Sequence, residues 1–104
     1  MPSVTVQITR FVDDSFPGFV ECELVDANGT KHLFVDKVSV LSLFHLCSSS
    51  SYPCTGSIRC TLGAEYKDES GHAVVNISTE IPDHVETKEG NTRFVVLSSQ
   101  LSRF

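Results

Sequence analysis

No stretch of this 104-residue chain approaches the roughly 18 consecutive apolar residues that a membrane-spanning helix requires. Its opening residues, Met-Pro-Ser-Val-Thr-Val, lack both the basic start and the apolar stretch of a secretion signal, so a cytoplasmic protein with no membrane partner is expected. Positive charge is sparse as well: eight Lys and Arg stand against thirteen Asp and Glu, a formal net charge of -5. The basic residues Arg10, Lys31, Lys37, Arg59, Lys67, Lys88, Arg93 and Arg103 are scattered, with no cluster of three. Nothing in the sequence therefore concentrates the cations that neutralise a phosphate backbone, and nucleic acid is a disfavoured partner. A basic protein is the better electrostatic match for an acidic surface.

Catalytic motifs are missing too. There is no GxxxxGK[ST] loop, no GxGxxG opening a helix, no HExxH and no GxSxG. No catalytic residue, metal or cofactor is assigned on this basis, and a non-enzymatic domain is expected. Asp26-Ala-Asn-Gly29 starts like a calcium loop, but Lys37 stands where such a loop needs its bidentate Glu, which leaves a hairpin turn. Cysteine is present without a recognisable spacing. Cys22 and Cys60 fall on the apolar register of strands and read as small buried hydrophobes. Cys47 and Cys54 bracket a Ser-rich loop, and both a disulfide between them and a zinc site with His45 stay open. His32 and His72 follow two Gly turns, where exposed strand starts are expected.

What the chain does contain is strand alternation. Val4, Val6 and Ile8 alternate with Thr5, Gln7 and Thr9, which predicts a half-buried strand. From Phe19 to Val25 the inward register is Val20, Cys22 and Leu24, with Glu21 and Glu23 facing solvent. Asn28-Gly29 is a strong hairpin signal, because both residues tolerate positive φ. The return strand, over about residues 30–40, carries the continuous apolar run Leu33-Phe-Val35, which suggests a bulge or burial on both faces. Ile58, Cys60 and Leu62 begin a second hairpin with Gly63 as a bulge candidate; a longer turn at 67–71 and a return strand through Ala73, Val75 and Ile77 follow. A last strand is expected over 93–97. Between the hairpins, 39–47 holds at most one short helical turn.

This pattern predicts a single all-β domain over 1–104, a small antiparallel barrel of about six strands, with a β-sandwich as the alternative. The strand spacing resembles that of small barrels attached to translation factors and of oligonucleotide-binding folds, a likeness of pattern that assigns no function. The residues left unexplained by the pattern lie in the 13–19 turn, the 48–56 loop and the 82–91 connection. Phe11, Phe16 and Phe19 surround the first, and Phe44 and Tyr52 bracket the second. Such aromatics either plug the ends of a barrel or anchor a ligand or partner. Two functions fit: an acidic inhibitor or immunity-like module that masks a basic protein, and a small-ligand or oligonucleotide-binding barrel using these aromatics with Arg59 and Arg93. The sequence does not set the oligomeric state.

Overall fold

In a computed structural model, which describes residues 1–103, the chain is mostly antiparallel β. The strands are β1 (Ser3–Asp13), β2 (Phe19–Val25), β3 (Lys31–Lys37), β4 (Cys54–Arg59), β5 (Thr61–Lys67), β6 (Ala73–Ser78), β7 (Arg93–Leu97) and the two-residue β8 (Leu101–Ser102). One helical turn, α1 (Val38–Leu41), and a 3-10 turn (Ser98–Gln100) complete the elements. No helix among the described residues is long and apolar enough to cross a membrane.

Two sheets form. The larger has the order β3-β2-β1-β4, with β8 pairing the start of β1; the smaller is β5-β6-β7. The expected strand through Ile58, Cys60 and Leu62 is two strands: the chain leaves one sheet at Arg59 and enters the other at Thr61, with the Cys60 amide donating to the Pro2 carbonyl at 3.0 Å. A closed ring of paired strands is not found among the described residues. Single contacts join the 26–29 turn to the small sheet and the 82–91 connection to the large one. The Ala27 amide donates to the Val95 carbonyl at 2.8 Å, and Phe34 forms an isolated bridge with Thr87.

Between the sheets lies one core. Val4, Val6, Ile8, Val20, Cys22, Leu24, Phe34 and Ile58 enter it from the large sheet, and Val75, Ile77, Phe94 and Val96 from the small one. Alternation places these side chains inward, since successive strand residues point to opposite faces. The Leu33–Val35 run needs neither a bulge nor double burial: β3 pairs β2 in unbroken register, Phe34 is buried, and Leu33 and Val35 face outward. Bulges occur elsewhere, twice in β1 and once in β5 around Gly63. Ala73 is exposed, and the inward face of β6 starts at Val75.

Both hairpin turns are built alike. Asp26 and Asp68 each accept, through Oδ1, the amides two and four residues on: Asn28 and Thr30 in the first turn, Ser70 and His72 in the second. Gly29 and Gly71 follow with φ of 81° and 84°, a conformation that favours glycine. The turn at 67–71 is thus no longer than the first. The two cassettes share this Asx-based construction because Asp at the first position offers a short acceptor to amides that the turn leaves unpaired.

The 82–91 connection is tied down rather than loose. Thr79 is buried, and its hydroxyl donates to the Val85 carbonyl at 2.6 Å. Val85 is itself buried in the core, and the Lys88 amide donates to the Leu33 carbonyl at 3.1 Å. The connection thereby covers part of the free edge of β3, where unpaired backbone groups would otherwise invite another strand.

Candidate functional site

The aromatic residues separate into two groups. Phe11 and Tyr52 pack against the core, and the Tyr52 hydroxyl donates to the Cys47 carbonyl at 2.7 Å, closing the Ser-rich loop. Phe19, at the start of β2, is half-buried. These three are structural by position. Phe16 and Phe44 differ, with exposures of 97% and 76%, and Leu43 beside Phe44 reaches 97%. Leu43 and Phe44 sit beyond α1, the single helical turn of this segment, which is too short to fold them onto the core. The Val38 amide donates to the Gly18 carbonyl at 3.0 Å and brings the start of α1 against the 13–19 turn. Phe16 therefore lies on the turn that α1 abuts, and Leu43 and Phe44 follow α1 by two and three residues.

Acidic groups border that turn. Asp13 accepts the Ser15 amide at 2.8 Å, and this hydrogen bond holds its carboxyl below the ordinary carboxylate range. Asp14 is exposed next to it. Leu43 is not among the binding candidates of the sequence, because apolar spacing alone does not separate a buried position from an exposed one.

The two arginines part company. Arg59 is bound by Asp83, with Nε and Nη2 donating to the two carboxylate oxygens at 3.0 and 2.7 Å. It clamps the 79–92 connection through one edge of its guanidinium. Arg93 lines a cleft of about 500 Å³ with Thr61, Asn76, Ser78, Asn28 and His32. His32 is not the exposed strand residue expected of it. It faces inward, hydrogen-bonded through Nε2 to Asp26 Oδ2 at 2.8 Å, with its ring edge-on to Phe94 at 4.9 Å. Burial pushes the Asp26 carboxyl up, but the bonds from His32, Thr30 and Asn28 outweigh it and leave the group below its ordinary value. His72, by contrast, is exposed as expected.

Glu21 also departs from the solvated outer face foreseen for it. Lys88 and Arg10 reach its carboxylate at 2.7 and 3.2 Å and hold its pKa down. All four cysteines are free thiols. Cys54 lies in β4, and Cys47 in the loop before it. The Ser49 and Ser50 hydroxyls, at 3.1 and 3.7 Å from Cys47 Sγ, bring that thiol down to about 7. Burial, with Asp36 nearby, pushes the Cys22 thiol up to about 12. Among the described residues no three His, Cys, Asp or Glu side chains converge as a metal site requires, and His45 stands exposed.

The fold and these surfaces define a two-sheet β domain with exposed apolar side chains around α1 and, apart from them, a polar cleft. No family model, no curated protein and no solved structure matches the chain.

Proposed function

We propose that this domain is a non-catalytic protein-interaction module, an acidic inhibitor or immunity-like partner of a basic protein, and that it docks through the end bearing Phe16, Leu43 and Phe44. One observation carries the reading: three large apolar side chains, one on the 13–19 turn and two just beyond α1, are exposed by 97%, 97% and 76%. Single exposed apolar residues are ordinary on any surface, but three fully presented aromatic and aliphatic side chains have the composition of interface anchors. Asp13 and Asp14, beside Phe16, and the net charge of -5 favour a partner with a basic rim.

The two-sheet arrangement supports the same reading as a partly open barrel. Its seams are the chain crossing at Cys60 and the Ala27–Val95 contact, and the 82–91 connection reaches Phe34 through Thr87.

Affinity capture from the native host at low salt, with the wild type and a Phe16→Ser/Phe44→Ser variant side by side, tests the function. A basic protein recovered in stoichiometric amount by the wild type, released by moderate salt and lost with the variant, is the expected result. Identical recovery by both proteins, or none by either, overturns the proposal.

A further inference from the structure

The cleft around Arg93 lies apart from the apolar end and contains donors that the fold does not use. Of the eight Lys and Arg side chains, Arg10, Lys31, Arg59, Lys88 and Arg103 are engaged by carboxylates. Arg93 has no such partner among the described residues, although it lines a cleft of about 500 Å³. That volume is within the ordinary range for small-molecule sites.

Register explains how the donors converge. Thr61 pairs directly with Ser78, and Ser78 with Arg93, so the three form one row across β5, β6 and β7. Directly paired residues point to the same face with Cβ atoms about 5 Å apart. Asn76, two residues before Ser78, shares that face. The Ser78 hydroxyl oxygen accepts the Glu80 amide at 3.3 Å, which occupies a lone pair and leaves its hydrogen to donate outward. Gly63, at the β5 bulge, keeps this row open. A methyl group there would stand 3.3 Å from the Asn76 carbonyl oxygen, tighter than ordinary contact.

The single carboxylate among the lining residues is Asp26. It is already engaged by His32 and by two amides of its own turn, and these donors offset part of its charge. A guanidinium with a neighbouring hydroxyl and a carboxamide matches an oxyanion, for which Arg offers a planar fork. Val95, which pairs with Asn76 and shares the face of Arg93, supplies apolar wall beside it, and the volume exceeds what an inorganic ion fills.

We propose that this cleft binds a small organic anion, a phosphate monoester or a carboxylate, with the anionic group on Arg93 and Ser78 and the body of the molecule against Val95. The site is independent of partner docking at the apolar end.

Amide chemical-shift titration of the full chain, with adenosine 5′-monophosphate, adenosine, inorganic phosphate and succinate as separate probes, tests it. Saturable shifts confined to 61–63, 76–78 and 93–95 with the monophosphate or with succinate are expected, and which of the two responds identifies the anion class. Arg93→Ala should weaken binding about tenfold or more, the loss typical of one charge-assisted hydrogen bond, with Arg93→Lys intermediate. Asn76→Ala, at a position whose side chain is exposed, provides a second variant expected to weaken the same titration. Absence of localised shifts with every probe at about 10 mM, a concentration well above the dissociation constant of even a weak site, overturns the proposal. Binding that is unchanged in Arg93→Ala overturns it equally.

Discussion

Gly56 shows how closely the large sheet is packed. It is buried in β4, and a methyl group at its Cα would stand 2.6 Å from the Leu41 carbonyl oxygen and 2.7 Å from Ile8 Cδ1. The carbonyl is backbone, and Ile8 Cγ1 stands nearly as close at 2.8 Å, so Gly56→Ala forces backbone and core to shift. The expected cost is about 1–3 kcal/mol, as for other overpacked interiors, measured as a lower urea midpoint. Cys47 and Cys22 make an opposite pair of thiols. The Cys47 thiol ionises at about 7 because serine hydroxyls solvate its thiolate, whereas burial keeps Cys22 protonated up to about 12. Alkylation by iodoacetamide should therefore label Cys47 first, with a rate that rises through pH 7 and levels off above it, and should leave Cys22 untouched until the protein unfolds. Peptide mass spectrometry across a pH series checks both statements.

At the scale of elements, the two Asx turns form an internal comparison. Both use the same acceptor pattern, yet Asp26 is also bonded to the inward-facing His32, while the His72 beside Asp68 is exposed. Asp26→Ala should cost about 1–3 kcal/mol, the penalty for removing the acceptor of part-buried donors, and Asp68→Ala distinctly less. The folded-state pKa of Asp26 lies below its ordinary value, so its stabilisation is complete above the unfolded carboxylate pKa. It is lost as the pH falls through the folded one. Urea unfolding of wild type and Asp26→Asn between pH 7 and pH 3 should thus converge at the acid end.

The turns also show how far local sequence reaches. Asp-x-x-Gly specifies each turn through acceptors and a positive φ a few residues apart, so both hairpins are legible in the chain. The fate of the histidine after each turn is not. His32 and His72 occupy similar places in sequence, but only His32 has Phe94 from the other sheet against its ring.

For the whole molecule, the separation of the apolar end from the core has a direct consequence. Phe16 and Phe44 contribute little to the folded state, so the Phe16→Ser/Phe44→Ser variant should unfold within about 0.5 kcal/mol of the wild type by urea titration. The same variant should lose the partner. A large fall in stability would instead make these residues part of the packing and remove the argument for docking.

Alternation by itself determined that the chain is an antiparallel β protein, and it named the inner residues Val4, Val6, Ile8, Val20, Cys22 and Leu24, all of which are buried. It did so because the two-residue period of a strand is written locally. Only the tertiary structure decided which polar and aromatic side chains are free. Arg59 finds Asp83 across 24 residues and Glu21 finds Lys88 across 67, while Arg93 finds no carboxylate among the described residues. Phe11 and Tyr52 reach the core and Phe16 and Phe44 do not. These outcomes depend on where distant segments meet, and no pattern of neighbours along the chain encodes that meeting.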